Sequence, residues 1–141
     1  MNIKKLIVQF SKFAVVGVLN TAIDFGALNL LMFSTGVRGG GMLFLFNIIS
    51  FAAATTNSYF WNKYWTFKDK EGVRPLQMGQ FLTVSVIGAL INSSVVSVIS
   101  TFINPLFGLS SAAWVNVAKI IATGFSFVWN FLGYKFIVFK K

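Results

Sequence analysis

The sequence predicts an all-α membrane fold: four transmembrane helices, arranged as two parallel repeats of a helix pair, with the N- and C-termini both cytoplasmic. Three observations lead there. Of 141 residues, 56% are hydrophobic, 17% aromatic and only 11% charged, which is more apolar surface than a soluble domain of this length can hide. That surface is gathered into four stretches, residues 13–33, 42–61, 81–104 and 112–133. Each approaches the ~20 residues a helix needs to cross ~30 Å of hydrocarbon. The pattern also repeats: Gln9-Phe10 with Gly17 returns as Gln80-Phe81 with Gly88, Asn47-Ile48-Ile49 as Lys119-Ile120-Ile121, and Lys63 with Phe67 as Lys135 with Phe139, at steps of 71 or 72 residues. A β-barrel would show short alternating segments instead. A soluble four-helix bundle would carry a charged stripe on every helix, whereas the four stretches hold only Asp24 and Lys119.

The elements follow in order. The first stretch is preceded by Lys4, Lys5 and Lys12 and carries Asn20 and Asp24 at its centre, so it reads as a retained span rather than a cleaved signal peptide. Gly39-Gly40-Gly41 then makes a flexible turn on the outer side, without the strand and lysine of a phosphate loop. After the second stretch comes the one segment polar enough to be a linker, with Lys63, Lys68, Lys70, Glu71 and Arg74, and Arg74-Pro75 marks its end. The connection between the third and fourth stretches is uncharged, and Lys135, Lys140 and Lys141 follow the fourth. Ten basic residues on one face against Arg38 alone on the other fix the orientation by the positive-inside rule. This assigns the net charge of +9 to topology and weak attraction to anionic membrane lipid rather than to nucleic acid. The chain is treated as one domain, repeat one over residues 9–67 and repeat two over 80–139. An even number of crossings per repeat makes the two copies parallel. Aromatic residues at span ends (Tyr59, Trp61, Tyr64, Trp65 and Phe67, then Trp129, Tyr134, Phe136 and Phe139) are expected to form interfacial belts.

Ionisable residues inside lipid are functional hypotheses by default. Asp24 and Lys119 come out at similar depths, roughly 13 and 9 Å from the outer side at ~1.5 Å per residue, so they are expected to pair. A buried pair is a poor stabiliser, because desolvation offsets attraction. A phosphate is a natural ligand for the lysine. Asn47, Ser50, Ala54 and Asn57 share one helical face, as do Lys119, Thr123, Ser126 and Asn130. Gly17, Asn20 and Asp24 on the first stretch and Ser85, Gly88 and Asn92 on the third complete a polar seam for every helix. With no histidine, no cysteine and three carboxylates, a metal cage or Ser-His-Asp arrangement cannot be assembled. Transport or scaffolding is favoured over enzymatic chemistry, and no cofactor or metal is expected.

Phe10-Ser11-Lys12-Phe13-Ala14-Val15-Val16-Gly17 leading into Asp24, then Asn57-Ser58-Tyr59-Phe60-Trp61-Asn62-Lys63-Tyr64-Trp65-Thr66-Phe67, Ala118-Lys119-Ile120-Ile121-Ala122, and Asn130-Phe131 followed by Lys135 and Val138-Phe139 resemble the GtrA-like family of four-span membrane proteins over essentially the whole chain. The resemblance implies translocation of a polyprenyl-phosphate-linked sugar across the bacterial cytoplasmic membrane for cell-surface polysaccharide glycosylation. Carried over position by position, it points to Asp24, Asn57, Asn62, Lys63, Lys119, Asn130 and Lys135 as substrate-binding residues; Asn47 joins them from its seam. The family pattern departs at Gly133-Tyr134, where an asparagine like Asn62 is expected. Besides the lipid carrier, the partners expected are a membrane glycosyltransferase and further copies of the chain. Two rival readings remain: a non-transporting partner of a glycosyltransferase, and a proton-coupled exporter resting on Asp24.

Overall fold

The computed structural model describes residues 2–37 and 40–140, apart from the side chains at 40, 43, 44, 47, 96 and 100. Arg38 and the Asn47 side chain therefore lie outside the described residues. Regular structure among the described residues is entirely helical: α1 (Ile3–Thr35), α2 (Gly40–Trp61), α3 (Pro75–Phe102) and α4 (Ser111–Gly133), with π turns at Asn62–Thr66 and Tyr134–Val138 that prolong α2 and α4.

Caps rather than hydropathy set the helix ends. The Asn2 side chain accepts from the Lys4 N–H and starts α1 ten residues before the apolar stretch does, and Gly36 ends it in the left-handed conformation. Pro75 opens α3 at a first-turn position where its missing N–H costs nothing. Ser110 caps α4 by accepting from the Ala113 N–H. At 33 residues α1 runs ~50 Å, well beyond a hydrocarbon core. Gly40 and Gly41 belong to α2, so the triple glycine is not wholly a loop.

The spans Ile3–Thr35, Pro75–Ile99 and Ser111–Val138 are long and apolar enough to cross a membrane, yet only 11–17% of their hydrophobic windows is buried within the protein. Leu30, Phe33, Leu90, Phe102, Ile120 and Phe125 are among the large apolar side chains left exposed. Helices that are apolar all round and unburied are solvated by lipid, not water. At 22 residues α2 has the ~33 Å length of a crossing as well.

The chain divides into two compact units, Met1–Gly72 and Val73–Lys141, the boundary falling in the polar linker. In the first unit α1 packs along α2. Phe46, Ser50, Ala54 and Ser58, one turn apart, are buried on one face of α2, with Phe13 and Val16 of α1. In the second unit α3 packs along α4, with Trp114, Ala118 and Ala122 buried on α4 and Phe81 and Val84 on α3. Small side chains at these spacings let backbones approach closely, the usual source of adhesion where lipid removes the hydrophobic drive between helices. Gly133 shows how close: a Cβ there would lie 2.5 Å from Val84 Cγ1.

Each unit thus runs long helix, second helix, π turn, and Asn62 and Tyr134 begin their π turns at the 72-residue step seen in the sequence. The turns close through Phe67 N–H to Asn62 C=O (2.9 Å) and Phe139 N–H to Tyr134 C=O (2.8 Å). Single π turns commonly occur at functional positions.

Candidate functional site

A polar ladder climbs the second unit between α3 and α4. At its foot the Tyr134 ring stacks on Phe81 at 4.2 Å and its hydroxyl meets Ser85 Oγ at 2.7 Å. The Ser85 hydrogen is committed to the Phe81 carbonyl (2.8 Å), so Tyr134 is the donor. One turn up α4, the Asn130 carboxamide lies against Gly88, in space that any β-carbon would fill. Its Oδ1 is buried without a hydrogen-bond partner. Higher still, Asn92 Nδ2 reaches Thr123 Oγ1 and Ser126 Oγ, both at 3.5 Å, contacts too long to hold the amide firmly. Thr123 and Ser126 return their own protons to α4 carbonyls, Thr123 to Lys119 (2.7 Å) and Ser126 to Thr123 (3.2 Å). The ladder ends at Lys119, exposed beside an open depression of about 370 Å³ lined by Asn116, Lys119, Ile120 and Thr123. Lys119 stands ~12 Å along α4 from its start and Asn130 ~17 Å further.

The first unit builds a different cluster. Asn62, Lys63 and Thr66 of the π turn are buried completely or nearly so. Lys63 Nζ donates to Asp69 Oδ2 at 2.8 Å, with neither side chain more than 9% exposed. The chain folds back to allow this because Lys68 takes the left-handed conformation (φ 53°) and the Asp69 N–H bonds the Lys63 carbonyl at 2.8 Å. Asp69 Oδ1 then accepts from the Glu71 N–H at 3.0 Å. Asn62 Nδ2 donates to the carbonyl (3.0 Å) and hydroxyl (3.1 Å) of Ser58, leaving Asn62 Oδ1 and Thr66 Oγ1 buried without partners. Asn20 Oδ1 and Asn57 Nδ2, higher in the same unit, are in the same condition. Buried polar atoms without partners are uncommon and costly. Among the described residues, those in this state all lie at seam or π-turn positions. Lys12 Nζ bonds the Trp65 carbonyl at 3.4 Å and sits 5.2 Å from the Trp65 ring centre, tying α1 to the π turn.

The sequence-derived residues fall as follows. Lys119 and Asn130 share the ladder of the second unit. Asn62 and Lys63 share the buried cluster of the first, Lys63 enclosed rather than standing on a rim. Asn57 is half-buried, as is Asp24, which lies on the unit that does not hold Lys119. Lys135 is half-buried, its ammonium 5.9 Å from the Phe131 ring centre and 6.0 Å from that of Phe136. Of the aromatics assigned to belts, Trp61, Tyr64, Trp65 and Phe136 are exposed. Tyr59, Phe67, Tyr134 and Phe139 are not: Tyr134 and Phe139 pack against Phe81 at the base of the second unit, and Tyr59 and Phe67 are buried in the first. Sequence reasoning missed Asp69 and the hydroxyl of Tyr134. The one available signal for Asp69 was its distance of a single helix-capping loop from Lys63.

Helices that keep amides, hydroxyls and a lysine along one seam while turning their apolar surface outward define a multi-pass membrane protein. The match to known proteins narrows this. The family model for the GtrA/DPMS transmembrane domain covers residues 12–139, and the chain belongs to that family. The chain is also 30% identical over 139 residues to the uncharacterized membrane protein YngA of Bacillus subtilis (strain 168), an alignment covering 99% of this chain and 84% of that protein.

Proposed function

We propose that this protein flips a polyprenyl-phosphate-linked sugar across the bacterial cytoplasmic membrane, supplying cell-surface polysaccharide glycosylation, and that it is not itself an enzyme. The observation that carries this reading is the ladder from Tyr134 to Lys119, a run of hydrogen-bonding groups that ends at a cation within an apolar span. A sugar needs donors and acceptors in succession, and Asn130 Oδ1, Asn92 and Ser126 offer them at one-turn intervals. The phosphate needs a charge that binds it and lets it go. An ammonium, a point charge without the fixed bidentate geometry of a guanidinium, suits that task. The polyprenyl tail stays in lipid against the exposed apolar faces.

In this reading all four helices cross, the repeats are parallel, both termini are cytoplasmic, and the chain works as a homo-oligomer. The carrier enters past Lys135 and the exposed aromatics. Asp24 is a substrate-binding group on the first unit, as Lys119 is on the second. Asn57, with its unpartnered amide, and Asn47 serve the sugar on the first unit, and Asn62 and Lys63 form its inner wall.

The test is translocation in proteoliposomes, with a panel of polyprenyl-phosphate sugars offered on one face and detected on the other. Lys119→Ala should slow transfer at least tenfold, the scale set by losing one charge-assisted contact worth about 1.5–3 kcal/mol, while Lys119→Arg retains part of the rate. Unchanged transfer in Lys119→Ala would sink the proposal. A purified protein that moves no lipid but co-purifies with a membrane glycosyltransferase would favour the scaffold reading instead.

A further inference from the structure

The turn between α3 and α4 combines a strained backbone with an unpartnered aromatic ring. Phe107 has φ 54° and Gly108 φ 69°, and the Leu109 N–H bonds the Leu106 carbonyl at 3.1 Å. Two successive positive φ values closed by such a bond make the mirror-image turn for which Asn-Gly is the favoured pair, because only glycine and short polar side chains enter the left-handed region readily. Phenylalanine is a poor choice for the backbone there. It is also 94% exposed, so it earns no packing within the chain. A side chain that strains its turn and touches nothing in its own protein is explained by something outside it.

The surroundings identify that something. Residues 75–118 contain no charged side chain. Ile103 and Leu106 are half-exposed, and Phe102, at the end of α3, is 80% exposed, so the apolar surface of the helix continues into the turn, interrupted there by the uncharged Asn104. The base is fixed: Trp114 is buried and its Nε1 donates to the Ile103 carbonyl at 2.8 Å, while Ser110 caps α4. The segment between residues 67 and 74 is also a connection between helices, yet it carries Lys68, Asp69, Lys70, Glu71 and Arg74, as a loop in water should.

We infer that the α3–α4 turn is a hydrophobic wedge seated in the lipid leaflet beside it, with the Phe107 ring inserted among the upper acyl carbons. The seat is shallow. Irregular backbone is not tolerated in the hydrocarbon centre, where free N–H and C=O groups find no partner. At the headgroup level, ester groups and water satisfy them while the aromatic ring reaches down. The wedge holds the end of the helix pair at a fixed depth, which sets where the two spans lie relative to the bilayer. It stands on the turn and the spans alone, independently of whether the protein moves a sugar.

The chain has no cysteine, so a single introduced thiol reports one position. Phe107→Cys, labelled with an environment-sensitive fluorophore and reconstituted in phosphatidylethanolamine–phosphatidylglycerol vesicles, is compared with Glu71→Cys in the charged linker. The expected result is blue-shifted emission at 107, iodide quenching at least threefold weaker than at 71, and stronger quenching by a nitroxide high on the acyl chain than by one near its end. Leu106→Cys, which leaves Phe107 in place, should behave likewise and guards against a turn disturbed by the first substitution. Iodide quenching at 107 and 106 equal to that at 71 overturns the inference, since the turn is then in water. Protection from iodide without nitroxide quenching overturns it too, since the ring is then covered by protein.

Discussion

Lys63 and Asp69 hold each other twice, once through the 2.8 Å ion pair and once through the Asp69 N–H on the Lys63 carbonyl. Both groups are withdrawn from water, so the pair is a poor source of net stability, yet removing one partner strands the other. Asp69→Asn keeps the shape and removes the charge; it should lower stability by about 3 kcal/mol, read as a fall in melting temperature in detergent. The double change Lys63→Met with Asp69→Leu, which removes both charges and keeps the volume, should return to within about 1 kcal/mol of the parent. Melting of Asp69→Asn at the parent temperature would mean that the pair carries no structural weight. Lys63 was legible in the sequence as a residue of interest, and its partner was not. The fold-back depends on a left-handed Lys68, and nothing about a lysine announces that conformation.

The helices themselves were readable because lipid imposes a simple rule: about twenty apolar residues with every backbone bond made internally. Their ends were partly readable. Pro75 and Ser110 sit at positions that propensity assigns to helix starts, but α1 begins at Ile3, far ahead of its apolar stretch, because Asn2 caps a segment that is helical without being deeply hydrophobic. The π turns left no pattern to read, since one extra residue in a helical turn changes which side chains face inward without changing composition. Tyr134, assigned to the interface by its place at a span end, is buried because it stacks on Phe81 of the neighbouring helix, a residue far from it in the chain. Two glycines separate packing from the polar ladder. Gly133→Ala drives a β-carbon against Val84, whose branched side chain has few rotamers to escape into, and should cost about 1–3 kcal/mol in melting experiments. Gly88→Ala meets only the end of the Asn130 side chain, which can turn away. Its melting should shift by less than that of Gly133→Ala, while sugar-lipid transfer falls because the carboxamide no longer stands in the ladder. Equal losses of stability in the two variants would show that Asn130 is mere packing.

At the scale of the whole molecule the question is how many times the chain crosses. Within each unit two helices pack side by side, joined in the second by the short segment of residues 103–110, so a unit that spans the membrane returns the chain to the side it left. If both units do so, position 2, the linker at 71 and position 140 lie on one side, and the turn at 104 on the other. The charges agree: Lys4 and Lys5, Lys68 and Lys70, and Lys140 flank those three points, and none flanks residue 104. A membrane-impermeant maleimide applied to cells should therefore leave Asn2→Cys, Glu71→Cys and Lys140→Cys unmodified and react with Asn104→Cys, and inside-out vesicles should reverse the pattern. Reaction of Glu71→Cys on the opposite side from Asn2→Cys would mean that one helix of the first unit does not cross.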